Sequence, residues 1–156
     1  MTHVREIMSR DVVHVAPSTT IREAAGLMAR YDIGALPVCD GRRMVGMVTD
    51  RDLAVRALAV GAAPDTAVEE VATATVEWCC EDDDVDLVQQ RMADAQVRRV
   101  PVVNDARELV GTLSLGDIAT RADGASRDEV ANTLEGVSQP VSGPVPRPVS
   151  QPRVPR

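Results

Sequence analysis

The chain repeats itself, and this restricts its fold more than any other feature. Pro37-Val38 recurs as Pro101-Val102, 64 positions later. After a turn that is one residue longer in the second copy the offset becomes 65. Gly46 then pairs with Gly111, Thr49 with Ser114, Asp52 with Asp117 and Ala54 with Ala119. Upstream, the offset of 64 holds for Glu6 and Glu70, Val12 and Val76, Met28 and Met92, and Ala29 and Ala93. Spacing kept over most of the chain, with its one slip in a turn, marks a duplicated unit of roughly 60 residues. A chain of 156 residues is then one domain, or two small halves sharing a core.

Within each copy the apolar pattern changes period. Ala35–Cys39 and Met44–Val48 read as two short strands about a polar turn at Asp40-Gly41, and the second strand runs into a helix starting at Thr49 or Asp50. Ahead of this hairpin, Val4–Met8 reads as a helical turn that packs before the first repeat, and Asp11–Val15 as a strand closed by Ala16-Pro17. Ser18, Thr19 or Thr20 can cap a helix over Ile21–Tyr31, with Gly34 near its exit. The helix after the hairpin runs to Val60 and stops at Gly61. The second copy predicts a turn at Val68–Ala72, a strand over Ala74–Cys80, a helix over Val85–Ala95, a second hairpin, and a helix from Leu115 to about Ala122. Ser126-Arg-Asp-Glu129 is a capping-box pattern for a last helix to Leu134, with no counterpart in the first half. The boundaries that follow are 1–62 and 63–123 for the repeats, 124–136 for the accessory helix, and 137–156 for a Pro-rich tail. That tail has too little apolar surface to offset the entropy of ordering and is expected to be disordered.

A net charge of −7 and a pI near 4.8 argue against nucleic acid or an anionic membrane as the main partner. With Tyr31, Trp78 and no Phe, the core must be aliphatic, and platforms for stacking unpaired bases are missing. Three cysteines, Cys39, Cys79 and Cys80, without CxxC spacing, suit a reducing cytoplasm. No apolar run approaches the ~18 residues of a spanning helix, so a cytoplasmic chain is expected.

Thr20-Ile-Arg-Glu-Ala-Ala25, Gly34-Ala-Leu-Pro-Val38 and Gly46-Met-Val-Thr-Asp-Arg-Asp52, with their second copies, resemble the signatures of a tandem pair of cystathionine-β-synthase (CBS) domains. The likeness covers about Val4 to Ala122 and is similar in detail to small stand-alone actinobacterial members. It implies an α+β fold of two βαββα repeats packed sheet to sheet about a pseudo-twofold axis, often paired into a homodimer. It also implies regulatory binding of an adenosyl ligand such as AMP, ADP, ATP or S-adenosylmethionine, with no required cofactor, no catalysis and an unidentified protein target. A role in stress response follows from the same likeness.

The residues themselves support a ligand site where each hairpin meets its helix. Gly46 and Gly111 leave room for a flat base against the backbone. Thr49 and Ser114 stand where helix N–H groups are unpaired, and Asp52 and Asp117 come three residues later, placed to accept from a vicinal diol. The same pairs make ordinary capping boxes, and the two readings are compatible. By resemblance, Val12, Val13, Pro37 and Val38 line the adenine slot. Arg98-Arg99 replaces Gly34-Ala35 and is either a phosphate clamp or a solvated pair. The alternative reading of the whole chain is a dimerisation module with vacant clefts.

Other candidates read more plainly. Adjacent Cys79 and Cys80 point to opposite faces of a strand and chelate poorly together, so structural cysteines are expected, with redox sensing left open. His3 and His14 read as surface residues. Glu81–Asp84 precedes a helix, where its dipole favours carboxylates. No P-loop, HExxH or Gly-x-Ser-x-Gly pattern points to an enzyme.

Overall fold

Helix boundaries follow the capping residues. In this computed structural model, which describes residues 1–74 and 77–121, α1 is Val4–Ile7 and α2 is Ile21–Tyr31. Thr20 is the cap of α2: its hydroxyl accepts from the Glu23 N–H while the Glu23 carboxylate accepts from the Thr20 N–H. The hairpin is β1 (Ala35–Asp40) and β2 (Arg43–Thr49). α3 opens at Asp50, passes through a π-helical turn over Leu53–Ala57, and closes with a 3-10 turn over Leu58–Val60 against Gly61 at φ 74°. That irregular end was not legible in the sequence: Ala57 is fully buried, while Val55, Leu58 and Val60 are exposed.

The second half gives β3 (Cys79–Cys80), α4 (Val85–Ala95), β4 (Arg99–Val103), β5 (Leu109–Ser114) and α5 (Leu115–Arg121). The expected helix over Ser126–Leu134, the tail from Val137, and Val76 lie outside the described residues. Three expectations need correction, among them the strand over Ala74–Cys80, which among its described residues forms at Cys79–Cys80 alone. The left-handed exits of α2 and α4 fall on Asp32 (φ 51°) and Gln96 (φ 55°), not on Gly34. Asp11–Val15 is not a named strand but contributes one parallel bridge, Val15 to Val38; its counterpart is Cys79 to Val102 in β3–β4.

The two halves exchange their entry segments. Val4–Met8 does not pack ahead of the first repeat, as its place in the chain suggested. Val4, Ile7 and Met8 instead complete the second core, with Val85, Met92, Leu113 and Ile118. In return Val68 and Val71 complete the first, with Val15, Leu36, Val38 and Val48. Paired main-chain bonds fix the exchange: Val85 N–H donates to Thr2 and Ile21 N–H to Thr66, both at 2.9 Å. Ser9 and Thr112 exchange two bonds of 2.9 Å, as do Thr73 and Met47. Each pair maps onto its partner by the repeat offset, which is the pseudo-twofold axis written in hydrogen bonds. Arg43 and Glu108, themselves one offset apart, bridge each other where the halves meet. Cys39, Met44 and Val103 form a third cluster there, against Trp78, Cys80 and Leu109.

Candidate functional site

Strand register sorts the side chains of each hairpin onto two faces. Leu36 pairs with Val48 and Val38 with Gly46 on the face packed against helices. Ala35 pairs with Thr49 and Pro37 with Met47 on the other. In the second half Arg99 pairs with Ser114 and Pro101 with Thr112 on the corresponding face. These outward faces meet across a cavity of about 230 Å³, walled by Ala35, Pro37, Met47, Arg99, Pro101 and Thr112. Asp11, Val12, Val13, Tyr31 and Ile33 close it on the first half's side.

Among the residues singled out by sequence, Val12, Val13, Pro37 and Arg99 therefore share one cavity. Thr49 and Ser114 are not among its lining residues, but register puts them on the same face, directly across from Ala35 and Arg99. Both capping boxes form. Thr49 Oγ1 accepts from Asp52 N–H, and Asp52 Oδ2 accepts from Thr49 N–H, each at 3.0 Å. Asp117 Oδ2 accepts from Ser114 N–H at 2.9 Å and from its hydroxyl at 2.8 Å, and Ser114 Oγ accepts from Asp117 N–H at 3.1 Å. Among the described residues, these bonds leave Oδ1 of each half-buried acid without a partner, so the cap and a ligand contact are compatible.

Two site expectations do not survive the geometry. Val38 turns away from the cavity and is 2% exposed in the helix-side core, because its neighbour Pro37 takes the cavity face. Gly46 and Gly111 make room for the protein's own backbone. A Cβ on Gly46 would lie 2.8 Å from the Thr73 carbonyl oxygen, and one on Gly111 2.7 Å from that of Ser9. Of the two arginines, Arg99 lines the cavity, whereas Arg98 precedes β4 and is not a wall residue. Asp11, Tyr31, Ile33, Met47, Pro101 and Thr112 were not singled out. Alternation from Pro37, carried through the repeat, pointed to Met47, Pro101 and Thr112; nothing local marked Asp11 or Tyr31.

The thiols are sheltered. Burial, helped by nearby Asp83, pushes Cys79 up to about 12, and its Sγ lies 3.8 Å from the Pro101 carbonyl oxygen. Burial also raises Cys39 and Cys80. Thiolate is the nucleophile, so a disulfide reagent at pH 8 should modify partly exposed Cys80 first and reach Cys39 and Cys79 only on unfolding. Absorbance release in native and denaturing buffer checks this; rapid labelling of Cys79 in the native chain would overturn it. No group of three or more His, Cys, Asp or Glu among the described residues could hold a metal ion.

The CBS domain family model matches residues 4–58 and 68–124. Hypoxic response protein 1 of Mycobacterium tuberculosis is 40% identical over 121 residues, which is 76% of this chain and 84% of that protein. A crystal structure of hypoxic response protein I with two coordinated zinc ions superposes with a TM-score of 0.68 at 40% identity, over 76% of this chain and 98% of that one. A CBS domain pair in complex with 5′-methylthioadenosine and S-adenosyl-L-methionine gives a TM-score of 0.64 at 33% identity, over 76% and 94%.

Proposed function

This chain belongs to the CBS domain family, and we propose that it is a regulatory module binding one adenosyl ligand in the cavity between its halves. The observation that carries this reading is the cavity itself, an apolar slot to which both repeats contribute symmetry-related walls at Pro37 and Pro101 and at Met47 and Thr112. Val12, Val13 and Ile33 supply the surface for a flat base. Asp52 and Asp117, each with Oδ1 open, stand at the helix mouths to accept from ribose hydroxyls. A related CBS domain pair holding two adenosyl compounds supports the ligand class.

The ligand acts by favouring one arrangement of the halves over another, which requires unequal affinity for the two. Catalysis has no part in this reading. The exposed apolar residues Val55, Leu58 and Val60 at the end of α3 favour pairing of two copies, and the signal passes to a protein target. Among the described residues no helix is long and apolar enough to cross a membrane. Unbridged thiols suit the cytoplasm.

A thermal-shift titration with adenosine compounds tests the proposal. A ligand at 100 times its Kd adds about 2.7 kcal/mol of apparent stability. Ala35 is exposed at the cavity wall, so Ala35→Trp should fill the slot, keep the fold and abolish the shift. Binding that is unchanged in Ala35→Trp would place the ligand elsewhere.

A further inference from the structure

The charge around the cavity narrows the ligand further. Among the side chains lining it, the acid is Asp11 and the base is Arg99; the others are apolar or hydroxylic. Asp52 and Asp117 at the helix mouths add two carboxylates. Asp50 adds a third beside the start of β1, its Oδ2 3.0 Å from where a Cβ on Gly34 would stand. Within the lining itself, then, one guanidinium shares the cavity with one carboxylate.

Resting on the adenosyl reading above, we infer that the cavity takes an adenosyl ligand of zero or positive net charge, not a nucleoside di- or triphosphate, and that Asp11 sets this preference. A polyphosphate concentrates negative charge and needs several cationic groups or a bound metal to offset it. Arg99 alone can pair with a single carboxylate through its planar fork. Among the described residues no ion pair or side-chain hydrogen bond engages either Asp11 or Arg99. Two opposite, unengaged charges on one small cavity match a zwitterionic arm, its cationic centre toward Asp11 and its carboxylate toward Arg99.

The duplication strengthens the assignment. By the repeat offset Asp11 corresponds to Thr75 and Arg99 to Ala35, so the charge pair occurs once and is not inherited twice. A feature present once in a duplicated chain makes the two sides of the cleft unequal, and the pair selects for one orientation of one ligand.

Isothermal titration of the full chain with S-adenosyl-L-methionine, 5′-methylthioadenosine, AMP and ATP tests this, with Asp11→Asn alongside. The two thio-compounds should bind at least about tenfold more tightly than either AMP or ATP. Asp11→Asn should weaken S-adenosyl-L-methionine by about three- to tenfold, the scale of one partly screened charge, and leave uncharged 5′-methylthioadenosine unchanged. AMP or ATP binding as tightly as the thio-compounds would overturn the inference while leaving an adenosyl site in place. Equal weakening of both thio-compounds by Asp11→Asn would overturn the role given to Asp11. Failure of all four compounds to bind would overturn the adenosyl reading itself.

Discussion

A chain carrying Val68→Asp should lose about 3–5 kcal/mol of stability, the cost of an uncompensated buried charge, and the damage should appear in the first half although Val68 belongs to the second repeat. Val68 is fully buried and packs with Val15, Leu36, Val38 and Val48. Its backbone is fixed there as well, since Val68 N–H donates to the Thr19 carbonyl at 2.8 Å. An ionised carboxylate in that cluster has no partner and cannot reach water without withdrawing the segment. Withdrawal would strip the first core of Val68 and Val71 together. Urea denaturation gives the magnitude, and amide exchange of Leu36 and Val48 gives the location. A loss below about 1 kcal/mol, the range of surface substitutions and mild core changes, or exchange faster only in the second half, would rule out the exchanged-segment architecture.

That exchange shows where sequence reading succeeds and where it stops. The helices Ile21–Tyr31 and Val85–Ala95 were legible to the residue because caps and apolar spacing are local signals. The hairpins were legible because alternation and the repeat agreed. The partner of Val4–Met8 was not, because a short apolar turn carries no mark of which core it enters; the long-range bonds of Thr2 with Val85 and of Ser9 with Thr112 reveal it. At the site, the chemistry of Thr49 with Asp52 and Ser114 with Asp117 was visible, and so was its alternative as a cap. What sequence could not supply was the direction of each side chain. Pro37 and Val38 are neighbours, yet one faces the cavity and the other the core. Asp11 gained meaning only once Arg99, far along the chain, was found on the same cavity.

Gly46 and Gly111 are the second place where a small change should have a large effect. Each sits where the other half's linker crosses the edge of a hairpin, and each crossing carries two main-chain bonds of 2.9 Å. A methyl group on Gly111 would meet the Ser9 carbonyl oxygen at 2.7 Å and Met8 Sδ at 2.8 Å. Met8 is a flexible side chain and can give way; the Ser9 carbonyl is held by its bond to Thr112 and cannot move without breaking it. Gly111→Ala and Gly46→Ala should therefore each cost about 1–3 kcal/mol, as overpacking does in a filled interior. Gly26 supplies the control within the same chain. It lies inside α2, exposed, with nothing within 4 Å of an added Cβ, so Gly26→Ala should gain about 0.5–1 kcal/mol from helix propensity. Denaturant midpoints for the three variants, with unchanged slopes, make the comparison direct. If Gly111→Ala were as stable as Gly26→Ala, the linker could not cross the sheet edge where Ser9 and Thr112 place it.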